Sequence, residues 1–525
     1  MAFPRLPRRR WLALAGASTT AIAAAVGLAW RGGRGAAGAG GTRGRLVVAA
    51  PADEYVTEPL RSRLSMYPLN VWAAEPLVRL APDYRVEPCL AERWQRVGDN
   101  TWRFHLRRGV RFHDGRAFGS ADVVWSLARA ARGEGGTGFL SAESARAVDA
   151  QTVDVTPLRA NLRLPEQLVH PTYSIVADGS EPAAGVVGTG PFRVTRYLRA
   201  QEIAVERFDG YWGAAAKPRE IVFRFLPDAT TRLLALFAGE VDLVVDVPRE
   251  QASALAGRAG VRLARSPGGQ NLIAFLNRGR ADAPFADADV RRAFALGIDR
   301  ARLVRDVLRG EALPVQNMAP PAVLGAAATR VRGLPYDPAG AATLLERGGY
   351  VRGADGMRHR QGRPLRLTLL GRHDLVGGVA EFVQAEMRAL GVEAQVALLP
   401  DIASYQVRLR AGEFDATLEL PNQNDANPAF LPALRLYSQA GSRTVRWFPT
   451  GAAFDTAIER ALAAADPALA REHAAEAIHL AVDDEVSVVP LAGIARLFAL
   501  RSTLGGFVAH PSFTSQTWHE IEVAA

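Results

Sequence analysis

A two-lobed α/β protein is the fold class this sequence predicts, on three observations. The chain has 525 residues, too many for one hydrophobic core, since single cores stop growing near roughly 250–300 residues. Strand-like runs dominate positions 45–267. From about position 271 strands and helices alternate, which favours a largely parallel sheet with helices on its faces.

The elements follow in order. Strands are expected at 46–50, 101–107, 152–156, 203–206, 221–226 and 241–245. The second is the clearest, because Trp102, Phe104 and Leu106 alternate with Thr101, Arg103, His105 and Arg107, the period-two pattern of a strand with one buried face. Asp114 and Gly115 supply a turn, after which Ser120 and Asp122 open a helix whose Val123, Val124, Leu127 and Ala128 share one side. A second helix is expected at 230–238, capped by Thr230 and stopped by Gly239. Further on, 365–370 reads as a strand, 379–390 as a helix ended by Gly391, and 392–399 as a strand. A helix at 401–411 opened by Asp401 and a third strand at 414–420 complete this run. Helices at 452–464 and 467–482 and an apolar strand at 486–491 close the chain.

Charge is concentrated at the start. The first 45 residues hold eight Arg and no acid, so without them the formal net charge of +9 falls to +1 (9 − 8). The remaining Arg are scattered among 54 acids without a basic stripe, which argues against a nucleic-acid partner. Arg8, Arg9 and Arg10 precede Trp11, Leu12 and a weakly apolar run at 13–29, which resembles a twin-arginine export signal. That run is rich in Ala, Gly and Thr, so cleavage between 30 and 44 is expected over retention as a single-pass anchor. Residues 1–44 are accordingly read as signal and Gly/Ala-rich link. The single cysteine, Cys89, sits in apolar-leaning sequence, reads as a small buried hydrophobe and rules out an intramolecular disulfide.

No enzymatic signature stands out. There is no GxSxG elbow and no GxxxxGK[ST] loop, and Cys89 has no identifiable base beside it. The histidines lack metal-ligand spacing, since His473 and His479 are six apart on a helix and do not share a face. No catalytic residue, metal or cofactor is therefore expected.

The wording of several blocks is more specific. EPLVRLAPDYRVEPCLAERWQRVGDNTWRFHLRRGVRFHDGRAFGSADVVWSLARA at 75–130 resembles the signature of the family 5 substrate-binding proteins of ABC importers, the peptide, dipeptide and nickel receptors. The resemblance continues through VGTGPFRVTRY at 187–197, FDGYW at 208–212, FLPDATTRLLALFAGEVDLV at 225–244, VRRAFALGIDRARLVRDVLRG at 290–310 and YDPAGAATLLERGGY at 336–350. It implies a type II periplasmic-binding-protein fold with an interlobe ligand cleft. Lobe I would span 45–267, with a family subdomain at about 80–185, and lobe II 268–485. A return segment at 486–525 would complete lobe I, so that two crossings form the hinge. It implies too a monomeric periplasmic receptor that delivers a small solute or short peptide to ABC permease subunits of the inner membrane. A nickel or metal-chelate receptor is the alternative within the family, and an exported hydrolase the alternative outside it. A chaperone role for exported chains is a third reading.

The resemblance places three regions at the cleft: 67–72, 168–173 and the loop PNQNDANPAF at 421–430. The ligand-binding candidates are Tyr67, Trp72, His170, Tyr173, Asn422, Gln423, Asn424 and Asp425. The loop also has an intrinsic case, since it follows an expected strand, and loops leaving the carboxyl ends of parallel strands bind ligands in open α/β sheets. Its amides and one carboxylate suit polar or amine ligands, although Asn and Asp also favour turns by capping their own backbone. The dipeptide receptors' ligand-holding Asp is matched here by Gln423, with Asp425 nearby. The nickel receptor's Trp, Tyr and Arg are matched by Pro421, Asp425 and His170, and its downstream His by no histidine.

Overall fold

Alternation decides which residues meet at the centre of each lobe. In the strand Arg45–Ala50 the side chains of Leu46 and Val48 point into one core and Ala49 into another, all fully buried. This strand is the middle of a seven-stranded sheet ordered Val261–Arg265, Leu497–Arg501, Leu243–Val245, Arg45–Ala50, Glu220–Phe225, Glu202–Arg207 and Phe192–Leu198. The computed structural model describes residues 44–51, 73–132, 139–179, 187–266, 268–280, 282–440 and 444–523. Residues 1–43, with Arg8 and Arg9 of the expected export signal, and the candidates Tyr67 and Trp72 lie outside the described residues. Among the described residues no helix is long and apolar enough to cross a membrane.

Lobe I carries a second, antiparallel sheet of Ala91–Arg96, Trp102–Leu106, Thr152–Val155 and Ala145–Asp149. Phe104 and Leu106 point into its core, as the alternation predicts, and the helix Ser120–Arg132 packs on it through Val123 and Leu127. The helix expected at 230–238 starts one residue earlier, at Ala229. Its cap is Asp228, not Thr230, because the Asp228 carboxylate accepts from both the amide and the hydroxyl of Thr231 at 2.7 Å.

Lobe II is built on a six-stranded sheet ordered Ala312–Pro314, Val488–Ile494, Gln270–Leu276, Ala416–Glu419, Arg366–Arg372 and Glu393–Leu399. Both its faces are covered, so Gln270–Leu276 is buried throughout. The sheet is mixed and not largely parallel. Arg366–Arg372 runs parallel to both its neighbours, but Gln270–Leu276 is antiparallel to Ala416–Glu419 and to Val488–Ile494. Direction explains this: Gln270–Leu276 brings the chain in from lobe I, Val488–Ile494 takes it back to the same place, and two such neighbours must oppose.

The return also comes later than the sequence suggests, since Val488–Ile494 still belongs to the lobe II sheet. The crossings fall between Arg265 and Gln270 and between Ile494 and Leu497. They are tied together, because Ser266 N donates to Arg496 O at 2.9 Å and Arg496 N to Ser266 Oγ at 2.8 Å. Gly269 threads the first crossing: a Cβ there would lie 2.1 Å from Pro511 O and 3.0 Å from Tyr84 Oη. Gly269→Ala is expected to destabilise the protein by about 1–3 kcal/mol through this overlap, seen as a lowered Tm. An unchanged Tm would mean that the crossing has room to shift.

Candidate functional site

The strand Ala416–Glu419 runs towards the crossing, since Leu276 pairs with Ala416 and Ile273 with Glu419. The chain then leaves the carboxyl end of the strand as a loop beside the hinge. Asn422 bridges Gln270, and Gln423 N donates to Gly269 O at 3.1 Å. The base of the loop is held by Glu419, which accepts from Tyr405 Oη at 2.7 Å and pairs with Arg435 at 2.7 Å. Arg435 lies on the helix Phe430–Leu436 that follows the loop, so both ends are anchored to one carboxylate.

Lobe I meets this loop at several points. Ala426 N donates to Glu166 O at 3.2 Å, Ser512 Oγ donates to Asn424 Oδ1 at 3.0 Å, and the His170 ring lies 5.6 Å from that of Phe430. Further out, Leu162 N donates to Leu462 O at 2.7 Å and Arg163 Nη2 to Ala465 O at 3.0 Å. The lobes are thus in direct contact along one side of the boundary.

The loop satisfies part of its own polarity. Gln423 Nε2 faces three oxygens, Asp425 O, Asp425 Oδ1 and Asn427 O, at 3.0–3.3 Å, which fixes the orientation of its amide. Asp425 Oδ1 also accepts from Asn427 N, and Asn427 Oδ1 from Ala429 N, both at 3.0 Å. Asn427 therefore behaves as a turn residue capping its own backbone. Asp425 Oδ2 and Gln423 Oε1, by contrast, are buried oxygens with no hydrogen-bond partner among the described residues. Tyr84 Oη is buried without a partner as well, and Tyr84 is electrostatically coupled to Asp425.

Burial dominates the electrostatics. It pushes the Asp425 carboxyl well above the usual range against the Asn427 amide and Gln423, and the Glu166 charge raises it further. Glu166 is raised by its own burial, with Arg163 acting in the opposite sense. Tyr84 is raised by burial and by Asp425. A site with two unpaired acceptor oxygens, one on an acid, suits a donor-rich cation such as an ammonium or guanidinium.

The sequence-derived candidates divide accordingly. Gln423, Asn424 and Asp425 are gathered at the lobe boundary and buried, and Asn422 is half-buried beside Gln270. His170 reaches the boundary through its ring, while Tyr173 packs into the core of the lobe I subdomain. Tyr84, Glu166 and Ser512 were not among the candidates: Tyr84 lies in the 75–130 block without any feature that marks it for a site, and each arrives from a distant segment. Among the described residues no group of three or more His, Cys, Asp or Glu is placed to hold a metal ion. A cavity of about 280 Å³ lies behind the 170–174 turn, lined by Leu80, Ala81, Ser174, His510 and Gln516 among others, and its described lining is all from lobe I.

The family model of bacterial extracellular solute-binding proteins, family 5 Middle, matches residues 85–443. The glutathione-binding protein GsiB of Salmonella choleraesuis (strain SC-B67) is 29% identical over 335 residues, covering 61% of this chain. The chain spans 62% of the length of that relative. Among solved structures, NikA from Brucella suis in complex with Fe(III)-EDTA superposes with a TM-score of 0.79 at 22% identity, over 91% of this chain and 99% of that one. An ABC transporter substrate-binding protein from Sinorhizobium meliloti is 27% identical with a TM-score of 0.68, over 92% of this chain and 100% of that one.

Proposed function

Because the chain belongs to the bacterial extracellular solute-binding proteins of family 5, we propose that it captures a small, amine-bearing, peptide-like solute between its lobes and hands it to an ABC permease for import. The single observation that carries the ligand class is Asp425, a fully buried acid whose Oδ2 has no partner, on a lobe II loop that lobe I touches. An ammonium that displaces the Asp425 proton and donates to Asp425 Oδ2 and Gln423 Oε1 would give both buried, unpaired oxygens a partner at once. Solute touching both lobes favours the shut state, and recognition of that state by the permease couples capture to delivery.

The likeness to a glutathione-binding protein supports a peptide-like ligand, since glutathione is itself a tripeptide with a free amine. The Arg8–Arg9 leader supports export through the twin-arginine machinery to the periplasm. The chemistry is that of a receptor, and His170, Asn422 and Asn424 join Asp425 and Gln423 as proposed contacts.

The test is native mass spectrometry of the purified mature protein, followed by calorimetry with glutathione, dialanine and a nickel–histidine chelate. Binding of glutathione or dialanine without turnover is the expected result. Binding of the chelate alone, or release of a chemically altered product, would overturn the peptide-receptor reading.

A further inference from the structure

Tyr84 packs its ring into the same lobe I core as Tyr173, yet it carries two unfavourable features that this packing does not explain. It closes the hairpin between Val78–Leu80 and Val86–Pro88, donating from its amide to Ala81 O at 2.9 Å. Its φ of 64° is left-handed, a conformation that glycine, asparagine and aspartate adopt readily and that strains a bulky aromatic residue. The second feature is the hydroxyl. Tyr84 is 6% exposed, and Oη is buried with no hydrogen-bond partner. A tyrosine hydroxyl buried in this way normally finds a partner.

Position resolves the puzzle. The turn sends the side chain towards the crossing, where Oη lies 3.0 Å from where a Cβ on Gly269 would sit. Gly269 in turn receives the hydrogen bond from Gln423 N. The hydroxyl from lobe I thus arrives beside the lobe II loop that carries two unpaired acceptors. Burial and the Asp425 carboxyl keep the phenol protonated, so it is available as a donor. Strained backbone that persists beside a binding loop is the pattern expected of a residue held for function.

We propose that Tyr84 is a specificity-determining residue: its hydroxyl donates to an acceptor of the bound solute while Asp425 and Gln423 take the solute's donors. The site would then select molecules carrying an ammonium and a carbonyl or carboxylate close together, as an amino-acid or peptide backbone does, over simple amines. This rests on the interlobe reading of the solute site given above.

Tyr84→Phe tests it, because the ring and its packing are kept and only the hydroxyl is lost. The ligand-free variant is expected to melt at or above the wild-type temperature, since an unpaired buried hydroxyl is removed. Its affinity for dialanine or glutathione by calorimetry is expected to fall roughly tenfold, the scale of one good hydrogen bond. A variant that melts several degrees lower, or binds within twofold of the wild type, overturns the proposal. If the wild type binds neither probe, the peptide-like reading fails separately. Melting then decides Tyr84 alone: a variant at or above the wild-type temperature upholds an unpaired hydroxyl, and one below it overturns the idea.

Discussion

Asp425→Asn is expected to leave the fold intact and to weaken binding of an amine-bearing solute by roughly 30-fold or more, since removing one member of a buried charge pair costs about 2–5 kcal/mol. The asparagine keeps an oxygen for the Asn427 amide and Gln423 but loses the charge. The pH dependence follows from the direction of the shift. The folded carboxyl titrates well above 3.8, so the ligand-free native state holds a proton that the unfolded chain releases. This group's contribution to stability is complete below about 3.8 and is lost as pH rises through the folded value. Ligand-free wild type should therefore lose Tm more steeply than Asp425→Asn as pH climbs above 4. An arriving ammonium favours the ionised acid, so binding should release a proton and strengthen with pH, seen by calorimetry in buffers of different ionisation enthalpy. Equal affinities with no proton release would sink the role of Asp425.

The largest loss of stability is expected from Glu75→Leu. This carboxylate is 5% exposed and accepts from Tyr211 Oη, Trp212 Nε1 and Thr189 Oγ1, each at 2.8 Å, while Cys89 Sγ approaches Oε1 at 3.8 Å. Its removal takes the acceptor from the buried Thr189 hydroxyl and from the half-buried Tyr211 and Trp212, at about 1 kcal/mol each, so roughly 3 kcal/mol in all. Glu75→Gln should fall between, because its amide still offers one oxygen. Urea unfolding measures the order. A leucine variant as stable as the wild type would mean that desolvation of the acid already offsets its hydrogen bonds, a balance known for buried ionic groups.

That network shows where sequence reading runs out. Periodicity located several elements: Trp102–Leu106, Ser120–Arg132, Glu393–Leu399 and Ile402–Ala411 lie within a few residues of expectation, because amphipathic spacing and caps such as Asp401 are local signals. The blocks around Glu75, Thr189 and Tyr211–Trp212 could each be read, yet nothing local says that they converge on one carboxylate. In lobe II the run read as parallel, Arg366–Arg372 with Glu393–Leu399 and Ala416–Glu419, is parallel, whereas the antiparallel direction of Gln270–Leu276 and Val488–Ile494 was missed, since it depends on where the chain enters and leaves. For the candidate site, the loop at 421–430 was legible from its amides and its place after a strand. Tyr84 was not, because a Pro-Asp-Tyr turn reads as any surface hairpin until its backbone angle and the hinge beside it are seen. Tyr173 is an aromatic side chain that packs into the lobe I core, a placement its sequence context did not mark.

The strand Leu497–Arg501 sits inside the lobe I sheet, between Val261–Arg265 and Leu243–Val245, and Trp518 fills the core beneath it. A segment far along the chain is therefore an interior part of a sheet whose other strands all lie before position 266. Without that strand the sheet has a missing member and two exposed edges, so the lobe cannot close its sheet from the segments before position 266 alone.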